Sequence, residues 1–332
     1  MKTKTFLFAL GILSVTAGTL NAQNRTYGWN VQQVSTTAWN SQDGIPYVEV
    51  PGANLGATSF QLLDGSKIAF LSNATNEIII TDKTSGKVIN KFPVLFAPRD
   101  FVFDKGFFHV LNESYVFVYN ENGAEVNNFQ IPASCLGVER LAHFNGATYL
   151  LLPSGNSFKI ESGGNAVAEE TQGWITSSGN FISTKLNGRN SYSATIITSG
   201  GMKFEKTFST NKNTAGVYVV GSTATRIYLD VQEFISESPI SVERKLISVE
   251  LNANGLGNII SSVKMPDCYY VLSNKELYAA ADGAVFNMVT SPQGIFIFSL
   301  AETKSDKAKE YPASVTSVKY HFNDHLVQVD EK

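Results

Sequence analysis

Charge, cysteine and long apolar runs are all in short supply in this chain. Charged residues make up 17% of its 332 residues, too few for a disordered or coiled-coil protein, while a hydrophobic content of 43% is ample for a core. Beyond the N-terminus no apolar stretch approaches the roughly 20 residues that a helix needs to cross a bilayer. A P-loop, a G-x-S-x-G elbow, H-E-x-x-H, an EF-hand loop and a dinucleotide fingerprint are all missing. No cofactor and no metal site is therefore implied, and catalytic activity is left open without a motif to carry it. Sustained helical periodicity is also lacking: apolar residues alternate, and turn residues interrupt them.

The one compact apolar run is at the start. Lys2 and Lys4 form a basic segment, Phe6 to Val15 an apolar one, and Leu20-Asn21-Ala22 ends in a small residue, so residues 1–22 read as a signal peptide with Gln23 as the mature start. The product is expected to be exported, periplasmic or extracellular, with no membrane span. With Lys2 and Lys4 removed, the 26 basic residues fall to 24 against 29 acidic ones, a net charge of about −5. That balance excludes the basic surface on which nucleic-acid binding depends.

What the chain does have is repetition. From Gly56 to Val94 it reads ATSFQLL, DG, SKIAFLS, NATN, EIIITD, KTSG, KVINKFPV, which is four short β-type segments separated by three turns. Similar units follow from Arg99 to Pro132 and Val138 to Gln172, then from Trp174, from Gly216 and from Glu276. Tight turns at Asp64-Gly65, Lys105-Gly106, Asn145-Gly146, Ser178-Gly179, Asp282-Gly283 and Asn323-Asp324 supply the residues that tolerate positive φ in hairpins. A four-stranded unit cannot bury both faces alone, so repetition supplies the neighbours. Residues 23–332 are thus expected to form a single all-β domain, a β-propeller. In the seven-bladed reading the C-terminal SVKYHFNDHLVQVD supplies the two inner strands of a last blade, and TYGWNVQQV and YVEVP the two outer ones. Six blades is the alternative. Either way closure of the ring removes exposed sheet edges.

NEIIITDKTSGKVINKFPV resembles the repeat of the YVTN and surface-layer-type β-propellers, in which an Asp, a few residues, Gly-Lys and a Val-rich strand recur in each blade. NHL-type propellers have related repeats. The resemblance implies a propeller fold and brings no catalytic residues with it. Trp29, Trp39 and Trp174 are too few for the blade-end tryptophans of quinoprotein propellers, and no WD dipeptide occurs.

Candidate functional residues are those that depart from the template. Arg99 and Arg140 begin the innermost strands of adjacent blades, so both face one mouth of the channel, where two guanidinium groups can hold a carboxylate or phosphate. The competing assignment pairs Arg99 with Asp100 and Arg140 with Glu139. The long stretch Asp230 to Ser241 in the fifth unit, with Asp230, Glu233, Phe234, Ile235 and Glu237, is either a partner-recognition loop or a longer hairpin. His109, His143, His321 and His325 are scattered through expected strands and read as polar wedges between blades. Cys135 and Cys268 form an even pair in an exported chain, which raises a disulfide. They occupy equivalent places in blades nearly opposite each other, which points instead to two buried thiols. The functional reading is a binding or scaffolding module of the cell envelope with a protein, small-molecule or glycan ligand. Its rivals are a propeller hydrolase or lyase acting on a carbohydrate or lactone, and a subunit of a cell-envelope assembly.

Overall fold

The computed structural model describes residues 27–135, 137–160, 169–266, 270–280, 282–304 and 309–316. Six antiparallel four-stranded sheets account for almost all of them. Blade one comprises Ala57–Leu62, Lys67–Ser72, Glu77–Asp82 and Val88–Pro93, in the strand order expected from its turns. The next four blades repeat this order, with innermost strands Asp100–Asp104, Arg140–Phe144, Trp174–Ile175 and Thr214–Ser222. Lys105 and Asn145 adopt φ of 48° and 50°, each followed by a glycine at positive φ, as two-residue hairpins require.

The sixth blade corrects the seven-bladed expectation. Its inner strands are Leu277–Ala279, Val285–Ser291 and Gly294–Thr303, and its outermost strand is the N-terminal Gly28–Thr37. The register runs antiparallel from Gly28 opposite Thr303 to Thr37 opposite Ile295. The N-terminal strand carries Trp29 and Val31, 2% and 6% exposed, into the core of this blade. From Gly28 onwards TYGWNVQQV therefore belongs to this blade and not to a seventh. Val48–Val50, expected as an outer blade strand, instead folds back on Ala53–Leu55 as a separate ribbon. Gly52, at a φ of 86°, makes that reversal. The Ser317 to Asp330 segment assigned to the seventh blade lies outside the described residues, as do residues 1–22, Cys268, His321 and His325.

Both faces of each sheet are apolar, so the core lies between blades. Ala69, Leu71 and Ile78 of blade one pack with Phe101, Phe108 and Tyr119 of blade two. Phe60 and Phe70 of blade one pack with Met288, Ile295 and Ile297 of blade six, which carries the same core across the point where the ring closes. Turn glycines reinforce the joints. A Cβ on Gly86 would sit 1.7 Å from the Thr36 carbonyl oxygen, one on Gly123 2.4 Å from Phe92, and one on Gly255 2.9 Å from Phe204. In each case the turn between a blade's two outer strands rests on the outermost strand of the preceding blade.

Candidate functional site in the axial channel

Six inner strands surround a cavity of about 460 Å3 on the propeller axis. Gln61, Asp104, Arg140, Trp174, Val219 and Tyr278 line it, one from each blade in turn. Gln61 fixes the blade one–two joint: its amide donates to the Phe103 carbonyl at 2.9 Å and accepts from the Phe103 N–H at 3.0 Å.

One end of the cavity is cationic. The segment that enters blade six crosses beside blade one, where the Lys275 N–H donates to the Thr58 carbonyl at 3.1 Å. From there the Lys275 ammonium reaches blade two, 2.7 Å from Asp100 Oδ1, and donates to the Phe101 carbonyl. Asp100 is fully buried, and its second oxygen accepts the Leu141 N–H of blade three at 2.9 Å. Burial lowers the Lys275 pKa and the Asp100 carboxylate opposes that shift, with nearby Arg140 adding to the lowering. The Arg140 guanidinium carbon lies over Trp174, 5.5 Å from the ring centroid, and the group pairs with no acid among the described residues.

The structure thus brings Arg99 and Arg140 to the same mouth, where both line an outer depression of about 570 Å3 with Glu139, Ser273 and Asn274. The two have different partners. Arg99 Nη2 is 2.7 Å from Glu113 Oε1, not paired with Asp100, and lies outside the axial cavity. Arg140 lines both spaces.

Towards the other end lies a polar wedge between blades two and three. His143 Nε2 is 3.2 Å from Asp104 Oδ2, His143 Nδ1 is 3.2 Å from Thr148 Oγ1, and that hydroxyl is 3.1 Å from His109 Nδ1. Burial lowers the pKa of both histidines, that of His109 to about 4, with the neighbouring His143 as a further cause there and Asp104 opposing.

The fifth-blade stretch is a hairpin of Arg226–Glu237 and Ile240–Asn252, not a loop. Asp230 is buried against Arg244 at 2.6 Å, and the same guanidinium is 2.5 Å from Glu276 of the blade-six approach. Glu233 pairs with Lys245 at 2.7 Å, and Phe234 is half-buried. Only the tip projects: Glu237 accepts from Asn213 at 2.6 Å, and Ile235 and Ile240 are 53% and 78% exposed. Cys135 is a buried free thiol whose pKa burial raises.

Lys275, Trp174 and the Asp104–His143 contact were not singled out from sequence. Lys275 stands where Arg99 and Arg140 stand, at the entry to an innermost strand, and that equivalence was the available signal.

No protein-family profile and no curated protein matches the chain. Among solved structures it is similar to Kuenenia stuttgartiensis hydrazine synthase, with 16% identity over 77% of this chain and 76% of that one and a TM-score of 0.47. A Bacteroides fragilis protein classed as exported aligns at 10% identity over 82% of this chain and 95% of that one, TM-score 0.47. BamB from Moraxella catarrhalis aligns at 11% identity over 81% and 97%, TM-score 0.36. The β-propeller class itself follows from the ring of six four-stranded blades.

Proposed function

We propose that this propeller is an exported binding module of the cell envelope, with the axial cavity as its ligand site and the fifth-blade hairpin tip as its contact to a partner protein. The observation that carries this reading is the cavity's composition. It draws lining residues from all six blades, yet Asp104 is the one carboxylate among the described lining residues. Paired carboxylates, which glycosidic cleavage uses, do not converge there, because Asp100 is held by Lys275. A cavity of this volume with apolar walls and a few fixed polar groups suits a small ligand.

The hydrolase or lyase reading has one contact in its favour, Asp104 against His143 at 3.2 Å. A carboxylate beside an imidazole is the arrangement of a general base. His143 is, however, also engaged with Thr148 between the blades.

Expression of the full chain in a Gram-negative host, followed by fractionation and N-terminal sequencing, tests export: the mature protein is expected in the periplasm or medium, beginning at Gln23. Retention in the cytoplasm with an intact N-terminus would contradict it. Capture from envelope extract is expected to depend on the exposed Ile235 and Ile240, and identical partner sets for the wild type and an Ile235→Ser, Ile240→Ser variant would remove the hairpin tip from the reading.

A further inference from the structure

Charge in the axial cavity is concentrated at the Arg140 end, and it is nearly all accounted for. Lys275 is neutralised by Asp100 at 2.7 Å, and both are buried. Arg140 has no acidic partner among the described residues, so this end carries one uncompensated positive charge. The guanidinium carbon lies 5.5 Å from the Trp174 ring centroid, a cation–π contact that uses none of its N–H donors, which remain for a second group. Leu141, Ile175, Val219 and Leu277 make apolar wall beyond it. At the far end Asp104 and Lys105 line the cavity side by side with opposite charges.

We propose that the cavity binds a small organic monocarboxylate, its carboxylate on Arg140 and its apolar body against Trp174, Leu277 and Tyr278. This rests on the reading of the cavity as the binding site and supplies the ligand class. A single uncompensated guanidinium matches one carboxylate in bidentate geometry. A phosphate monoester would bring about two negative charges to a site that offers one positive, and the surplus is costly to bury. A cationic ligand would face the uncompensated charge of Arg140. Arg99, committed to Glu113 outside the cavity, takes no part.

Calorimetric titration of the full mature chain with phenylacetate, phenyl phosphate and phenethylamine tests this. Phenylacetate is expected to bind most tightly. Arg140→Gln should weaken it at least tenfold, Arg140→Lys should retain part of the binding because it keeps charge without the planar fork, and Arg99→Gln should stay within twofold of wild type. Should Arg140→Gln fail to fold, Ala142→Trp, which fills the cavity from its wall, is expected to abolish binding. Equal phenylacetate affinity in Arg140→Gln and wild type, tighter binding of either other probe, or no phenylacetate binding at all would overturn the proposal. Absent phenylacetate binding with hairpin-dependent partner capture intact would remove the carboxylate site and leave the module reading standing. Intact, Arg140-dependent binding with capture lost would do the reverse.

Discussion

Asp100 and Lys275 link three blades through two side chains, and both are buried. Lys275 belongs to the approach to blade six, Asp100 to blade two, and the carboxylate also accepts an N–H from blade three. Taking two charges out of water is costly, and removing one partner leaves the other stranded. Asp100→Leu is therefore expected to destabilise the protein by about 3–5 kcal/mol, read as a fall in the denaturant midpoint, and a loss below about 1 kcal/mol would mean that the pair is not buried as described. The histidine wedge makes a second prediction at this scale. His109 titrates near 4 when folded and near its ordinary 6.5 when unfolded, and the His143 pKa is lowered in the same direction. The unfolded chain thus binds more protons between those values, so stability is fully present above pH 6.5 and is lost as pH falls towards 4. Between pH 7.5 and pH 5, His109 alone contributes a loss on the order of 2 kcal/mol. Urea denaturation at the two pH values is expected to show it, and His109→Gln to flatten the difference.

Among strands and turns, ring closure depends on the N-terminal strand Gly28–Thr37 and on glycine contacts between blades. Gly86 sits at a φ of 68° and has no room for a Cβ beneath the Thr36 carbonyl, whereas Gly65 has nothing within 4 Å. Gly86→Ala is expected to cost about 2–4 kcal/mol, combining left-handed strain with displacement of the closing strand, and Gly65→Ala to stay within about 1 kcal/mol. Thermal denaturation of the pair separates a joint from an ordinary turn. Much of this level was legible in the chain: the Asp-Gly, Lys-Gly, Asn-Gly and Ser-Gly turns marked hairpins correctly in five blades because local φ preference decides them. The role of TYGWNVQQV was not, because which sheet a terminal strand joins depends on which blade lacks a fourth strand. The N-terminal strand fills that place in the sixth blade, where Trp29 and Val31 are buried.

For the whole molecule, the propeller class was readable from repetition, while the blade count turned on a single terminal strand. The channel was only half readable. Arg99 and Arg140 were placed at one mouth by their equivalent positions, and the structure brings them there. Their separate fates were not visible, since Glu113 and Trp174 lie 14 and 34 residues away in sequence from Arg99 and Arg140. Lys275 was hidden because the stretch from Met265 to Glu276 follows no repeat grammar, although it is the residue that holds Asp100 at the Arg140 end of the cavity. The Asp230–Ser241 stretch shows the same limit: alternation continues through Asp230 and Glu233, and only partners on the adjacent strand, Arg244 and Lys245, show that these acids are internal to the sheet.

The central claim is that the axial cavity, and not the outer surface, holds the ligand. Native mass spectrometry of wild-type protein purified from the expressing cells, beside Ala142→Trp purified in the same way, tests it most directly. The account predicts a small carboxylic acid retained by the wild type and missing from Ala142→Trp at matched thermal stability. The same bound molecule on both proteins would place the ligand elsewhere and contradict it.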